Sequence, residues 1–331
     1  MIKHERKKIE YGGFLPLELN PGVEYFARFE DYLFRFNTVK SSLHKIINAL
    51  GCSRIYIPYY YCPSTTDFLQ NENVCVCFYH INEELLPVNV PDEQDSIVLL
   101  VDYFGVCGER VKEYSSRFKN AEVVIDFAHD FFEKPILNNH RHNIYSAKKF
   151  FGVPDGSYLV SMDIEPDSEA LSYASSYSEY LIKTYEEGTN SAYTMKAGVD
   201  DYLASNFTRM SCLTVGLLQN VDYSRVKKQR EANYKLMKEA FVGIDELLIP
   251  DCNAAYQFPL LVRKKGRRIK KELIESKIYV STLWSGDNLK EHGNEFELRM
   301  TNDCVFLPMD QRYDSDDIQY IIETVFEFLN T

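Results

Sequence analysis

The chain has 331 residues, 45% of them apolar and 26% charged, which allows a sizeable core and excludes a long disordered region. With 37 Lys and Arg against 49 Asp and Glu, the net charge of −12 repels a nucleic-acid backbone rather than recruiting one. No window approaches the roughly 18 consecutive apolar residues that cross a bilayer. The N-terminus MIKHERKKIE lacks the apolar centre of a signal peptide. A soluble cytoplasmic protein is expected, one that binds neither nucleic acid nor membrane.

In chain order, residues 38–50 place Leu43, Ile46, Ile47 and Leu50 at helical spacing. Residues 54–58, 74–79, 96–101 and 121–126 are runs of strand length rich in Val, Ile and Tyr, and 109–118 supports a second helix among them. Apolar runs without polar alternation, interleaved with helices, predict an α/β fold with a mainly parallel sheet covered on both faces. From 168 to 245 strand signal fades and Pro is absent, so several helices are expected, ending in a long one over 226–241. A Pro-bounded apolar stretch at 256–262, a basic amphipathic segment at 264–277 and a short run at 278–283 follow. The last helix is expected after Tyr313, with Asp314, Ser315, Asp316 and Asp317 at the positive end of its dipole. This texture divides the chain into a large α/β domain over 12–205 and a smaller C-terminal α+β domain over 206–331.

Of the eight cysteines, Cys52, Cys62, Cys107, Cys212, Cys252 and Cys304 are scattered without pairing rhythm and read as reduced core thiols. Cys75 and Cys77 fall on one face of a strand, too close for the usual metal knuckle, and no metal site is expected. The load of 24 Tyr and 21 Phe against one Trp suits ring-lined pockets.

Ligands of an open α/β sheet sit at the carboxyl ends of its strands, and three segments qualify. Asp126 closes the run Val123-Val124-Ile125, and His129 follows three residues later. Taken alone, the pair reads as a capping carboxylate and a partly buried imidazole. Lys148 and Lys149 precede Phe150, Phe151 and a turn through Gly152, Pro154, Asp155 and Gly156. Aromatic neighbours lower an amine's pKa and make it nucleophilic, although a surface Lys pair beside a turn fits this segment equally well. The third is the hydroxyl-rich helix start Thr38-Val39-Lys40-Ser41-Ser42, whose free N–H groups would hold a phosphate, with Lys40 and Ser41 adding donors. Hydroxyl N-caps are common without a ligand. A carboxylate for a pyridinium nitrogen, a Lys for a Schiff base and a helix N-terminus for a phosphate are together what pyridoxal phosphate (PLP) requires.

With these residues in place, the chain resembles the fold type I PLP enzymes, specifically the DegT/StrS family of nucleotide-sugar aminotransferases, from about Gly12 to the last helix. The resemblance rests on Ile-Tyr-Ile-Pro-Tyr-Tyr-Tyr-Cys-Pro-Ser at 55–64, Asp-Tyr-Phe-Gly at 102–105, Ile-Asp-Phe-Ala-His at 125–129, Ser-Ala-Lys-Lys at 146–149, and Gly156. It implies that Asp126 keeps a pyridine nitrogen protonated, that His129 lies beside the ring and its phenolic oxygen, and that Ser146 serves the phosphate. It also favours Lys149 over Lys148 as the Schiff-base residue, three after Ser146 and seven before Gly156. Asn206-Phe207-Thr208-Arg209-Met210-Ser211 is similar to the family's Asn-Tyr-Arg-Met-Ser segment, whose Asn reaches a phosphate in the neighbouring subunit; Asn206 is offset by one position. The family's Ser-Gly-Thr phosphate loop is Thr38-Val39-Lys40 here, where Lys40 may-be-lost amide contacts are replaced by charge. The ring-stacking aromatic aligns with Cys62, leaving Tyr60 or Tyr61 to stack from beside it.

By this resemblance the chain is expected to be a homodimeric transaminase with shared active sites. It would move an amino group from an amino-acid donor, glutamate, to a nucleotide-linked keto sugar in surface-polysaccharide or amino-sugar biosynthesis. A related dehydrating branch carries His at the Lys position, so Lys149 favours aminotransfer. The alternatives are an inactive sugar-binding or regulatory member of the fold, and a PLP enzyme acting on amino acids. The basic run 264–271 reads as a solvated helix start, and Trp284 and residues 310–313 as walls of the small domain.

Overall fold

The computed structural model describes residues 11–166, 169–247 and 254–330. The first ten residues and Cys252, for which core burial was expected, lie outside them. The apolar runs become the centre of one sheet. Its strands in chain order are β1 (Leu33–Phe36), β2 (Arg54–Pro58), β3 (Cys75–Ile81), β4 (Pro87–Val88), β5 (Ser96–Val101), β6 (Glu122–Asp126), β7 (Arg141–Ser146) and β8 (Ser157–Ser161). They lie side by side as β1-β8-β7-β6-β5-β2-β3-β4. β3, β2, β5, β6 and β7 run parallel, while β8 and β1 on one edge and β4 on the other are antiparallel. Ile97 to Leu100 and Val123 to Ile125 are wholly buried, as expected of strands covered on both faces.

The helices that follow are α1 (Val39–Leu50), α2 (Pro63–Gln70), α3 (Gly108–Ser115), α4 (Glu179–Glu187), α5 (Thr189–Ala204), α6 (Cys212–Gln219) and α7 (Tyr223–Ala240). Beyond them lie β9 (Phe258–Leu261), α8 (Gly266–Glu275), α9 (Asp287–His292), α10 (Glu295–Asp303), β10 (Cys304–Leu307) and α11 (Ser315–Asn330). β9 and β10 pair antiparallel, and α7, α8, α10 and α11 pack around them. Asp314 Oδ1 accepts the N–H groups of Asp316 and Asp317, capping α11. The run at 278–283 forms no strand; it makes a single bridge from Ser281 to Phe306. Among the described residues, no helix is long and apolar enough to cross a membrane.

β1, β7 and β8 went unpredicted. In β7 the sequence Arg-His-Asn-Ile-Tyr-Ser is buried throughout, because each polar group finds a partner inside. Arg141 Nη2 donates to the carbonyls of Ser115 and Phe118 at 2.9 and 2.7 Å, and Asn143 Nδ2 to those of Ile136 and Val160. Hydrogen-bonded burial of this kind leaves no apolar pattern to read. The thiol expectation is corrected in part. Cys52, Cys107 and Cys304 are buried, but Cys62 is half-buried and Cys212 exposed. These two stand at the starts of α2 and α6, where a single position carries no helical period.

Beneath the turn that follows β6, three carboxyl groups are buried together: Asp102, Asp130 and Glu133. Asp102 Oδ1 accepts the Cys107 N–H at 2.9 Å and its thiol at 3.3 Å, and Glu133 pairs with Lys112 of α3. Asp102 Oδ2 and Asp130 Oδ1 have no donor among the described residues. Burial, opposed by the Cys107 hydrogen bonds, raises the Asp102 carboxyl above the ordinary range. Burial and the charges of Asp102 and Glu133 raise Asp130 further. Both bind protons more tightly folded than unfolded, so stability is highest with both protonated and falls as pH rises from the ordinary carboxylate range through the folded values. Asp102→Asn keeps the acceptor for Cys107 and offers an N–H to Asp130. It is expected to raise Tm at pH 8 by ~1–3 °C and to change it less at pH 5; a uniform loss at both pH values in thermal scans would contradict this reading.

Candidate functional site

β6 and β7 end side by side, and their carboxyl ends carry the candidate residues. Asp126 closes β6 in a buried position. Its Oδ2 accepts the Tyr61 hydroxyl at 2.6 Å, and its Oδ1 accepts the Ala128 N–H at 2.8 Å. Burial raises the carboxyl, while the Tyr61 and Ala128 hydrogen bonds and the Lys149 charge pull it back. Two carboxylate oxygens offer about four acceptor sites, so a further donor can still be received. His129 is buried on the same turn. Burial, then the charge of Lys149, push its pKa well below the usual value, so the ring is neutral. Its Nδ1 is 3.3 Å from the Phe104 N–H; accepting there places the ring proton on Nε2, leaving that atom a donor. The ring stacks on Tyr256 at 4.9 Å and on Trp284 at 5.6 Å.

After β7 the chain turns at Ala147, whose N–H bonds the Gly156 carbonyl at 3.0 Å while the Phe150 and Phe151 N–H groups return to its own carbonyl. Gly156 has φ +128°, and a Cβ there would lie 3.1 Å from Ala147 Cβ and 3.2 Å from Thr214 Cγ2. A side chain at 156 would therefore be strained by conformation and by space. Asp155, wholly buried, anchors the turn by accepting from Ser211 Oγ at 2.9 Å, the Ser211 N–H at 3.0 Å and the Tyr177 hydroxyl at 2.9 Å. The two lysines separate here. Lys148 Nζ is bound to Asp200 of α5 at 2.8 Å, and burial lowers its pKa. Lys149 has no ion pair among the described residues; its Nζ lies 5.1 Å from the centre of the Tyr256 ring, with its charge felt by both Asp126 and His129.

Lys149 opens into a cavity of about 660 Å³ that Thr38, Lys40, Ser146, Gly156 and Arg230 also line, a volume suited to a cofactor with part of a substrate. Thr38 caps α1 by accepting the Ser41 N–H at 3.2 Å, and the Ser42 N–H bonds the Thr38 carbonyl. The N–H groups of Val39 and Lys40 have no acceptor among the described residues, so the positive end of the α1 dipole is open to an anion. Lys40 stands beside it, half-buried, with its pKa lowered by burial. Ser41 is turned inward, its hydroxyl donating to Asn37 Oδ1 at 2.5 Å. Asn206 lies outside the cavity lining, its Nδ2 donating to the Tyr202 carbonyl at 2.6 Å. Tyr60 is wholly buried, with its hydroxyl on the Leu283 carbonyl. Thus Asp126, His129 and Lys149 come together, Tyr61 joins them through Asp126, Lys40 and Ser146 share the cavity, and Ser41 and Asn206 are engaged elsewhere.

The sequence reading missed two residues of this site, Tyr256 and Arg230, and treated Trp284 only as a wall. Arg230 is 1% exposed. Its Nε donates to Gln311 Oε1 at 2.8 Å and its Nη1 to the Ala255 and Tyr256 carbonyls, while Nη2 has no protein acceptor among the described residues. A signal existed: on α7, Arg230 shares the buried stripe of Val226, Asn233, Tyr234 and Met237, and a guanidinium on an apolar helix face calls for a partner. Tyr256 had none, since topology alone brings it to His129.

No family model and no curated protein sequence matches the chain. Its fold is that of solved sugar aminotransferases. It is similar to CalS13 from Micromonospora echinospora, a sugar aminotransferase, at 14% identity, with 91% of this chain and 89% of that one covered and a TM-score of 0.60. It is similar also to a DegT DnrJ EryC1 StrS aminotransferase from Brucella abortus, at 12% identity, 93% and 91% coverage and a TM-score of 0.63. A third, Spr1654 from Streptococcus pneumoniae in a PLP form, gives 13% identity, 91% and 89% coverage and a TM-score of 0.61. The fold class expected from the sequence is therefore the one observed.

Of the two adjacent lysines, only Lys149 is an amine free to meet an aldehyde in the cavity. Exposure of the protein to pyridoxal phosphate, reduction with borohydride and peptide mapping are expected to place the pyridoxyl mass on Lys149. A label on Lys148 instead would contradict the assignment.

Proposed function

We propose that this chain is a PLP-dependent aminotransferase of the DegT/StrS family that transfers an amino group from glutamate to a keto sugar carried on a nucleotide. The observation that carries the reading is the convergence of Lys149, Asp126 and His129 beside a cavity that also meets the open N-terminus of α1. The donor set fits the cofactor: an amine for its aldehyde, a carboxylate for its ring nitrogen, an imidazole N–H for its phenolic oxygen, and Lys40, Ser146 and two free backbone N–H groups for its phosphate. When bound, pyridoxal phosphate supplies the electron sink that makes a donor's α-proton acidic.

The chain's own residues divide the remaining work. Asp126, held by Tyr61 and Ala128, keeps a proton on the ring nitrogen. His129 donates its Nε2 proton. Lys149 Nζ takes the proton from the donor's α-carbon and returns it one atom away, which one flexible amine in a cavity walled by Tyr256 can do. Arg230 Nη2 offers two unused donors to the carboxylate of the amino acid, a pairing that buried guanidinium groups make well. The exposed Tyr185 and Tyr193 of α4 and α5, 91% and 71% accessible beside the cavity mouth, support a homodimer formed across this hairpin. Related structures in sugar amination support the substrate class.

Half-reactions test the reading. Glutamate is expected to convert the yellow PLP-loaded protein to its amine form, and a nucleotide-linked keto sugar to restore the colour. Arg230→Lys is expected to raise KM for glutamate by about 10-fold or more while leaving the sugar half-reaction within about 2-fold. A protein that stays colourless with pyridoxal phosphate, or one that is restored by keto acids alone, would reject the proposal.

A further inference from the structure

At the opposite end of the sheet from the cavity, the start of β6, the start of β7 and the turn after β8 converge. Glu122, His142 and Asp163 each offer one ligand atom there, and these atoms lie within 4.8 Å of one another. Glu122 and Asp126 are the two ends of one strand, about 13 Å apart at the usual rise per residue, so this cluster is separate from the candidate active site. His142 is wholly buried. Its Nε2 is 3.1 Å from Glu122 Oε2, and its Nδ1 is 2.8 Å from Ser161 Oγ. The other Glu122 oxygen is 2.8 Å from His140 Nδ1, and Asp163 Oδ2 accepts the His140 backbone N–H at 2.5 Å.

We propose that Glu122, His142 and Asp163 form a divalent-metal site, with Zn²⁺ the ion that fits best. Tetrahedral zinc with bonds of about 2.0–2.1 Å sets its ligand atoms roughly 3.3 Å apart. The imidazole and the glutamate already stand at that separation, and Asp163, exposed on its turn, closes the remainder by a change of rotamer. Each candidate ligand is held through an atom other than the one it offers. Ser161 fixes the His142 ring and leaves Nε2 to point at the metal, His140 Nδ1 holds the far oxygen of Glu122, and the His140 N–H holds one oxygen of Asp163. Such an outer layer is what orients metal ligands in proteins. An imidazole among carboxylates favours zinc over calcium or magnesium, which take oxygen ligands. A Glu122–His142 ion pair alone would explain the 3.1 Å contact, but it gives no reason for Asp163 to converge on the same point. Bound metal would tie the antiparallel β8 to the parallel strands β6 and β7 and leave a fourth position for water.

The full chain, stripped with a chelator and dialysed, would be titrated with ZnCl₂ by calorimetry and with CoCl₂ by visible absorption. One Zn²⁺ per chain with a raised Tm is expected. Asp163→Asn, at an exposed position that leaves the core intact, is expected to weaken binding at least 10-fold, and His140→Gln by about 10-fold through Glu122. The Cys75→Ser/Cys77→Ser double variant should bind unchanged. Absence of binding, equal affinity in Asp163→Asn, or loss of binding in the Cys double variant would overturn the proposal.

Discussion

The parallel register of β6 and β7, which sets Asp126 opposite Ile144, is the constraint on which the candidate site depends. It fixes where each loop leaves the sheet, so that the turn after Ser146 delivers the Lys149 amine toward the carboxylate and imidazole of the turn after Asp126. A slip of one residue would send every side chain of β7 to the other face and part the amine from the acid. The register is itself secured by polar burial, since Arg141, Asn143 and His142 reach only the partners that this alignment offers.

Electrostatics then tune what the register assembles. A buried carboxylate such as Asp126 is costly unless hydrogen bonds and a cation offset desolvation; Tyr61, Ala128 and Lys149 do so. The same burial keeps His129 neutral and thus a donor. The C-terminal part of the chain closes this environment. Gln311 Nε2 donates to the Phe150 carbonyl at 2.7 Å and accepts from Arg230, which binds the segment after β10 to the turn that carries Lys149. Trp284 and Tyr256 seat their rings on His129.

Much of this was legible in the sequence where physics leaves a local trace. β2, β5, β6 and α1 were found from apolar runs and a helical period, and Asp126, His129 and Lys149 from their places at strand ends and from a family resemblance. β7 was not, because its buried residues are polar and their partners lie in other elements. Spacing favoured Lys149 over Lys148, but the physical distinction between them lies in Asp200, 52 residues on. Ser41 carries the right chemistry for a phosphate, yet Asn37 claims its hydroxyl, and no local pattern announces that competition. Tyr256 and the Glu122–His142–Asp163 cluster are products of topology alone.

The most direct measurement is a crystal structure of the protein with pyridoxal phosphate. The expected result is a covalent bond from the cofactor to Lys149 Nζ, its ring nitrogen within hydrogen-bond distance of Asp126, and its phosphate at the N-terminus of α1 beside Lys40. A cofactor bound elsewhere, or one whose ring nitrogen faces solvent while Asp126 stays with Tyr61 alone, would contradict the assignment of the site.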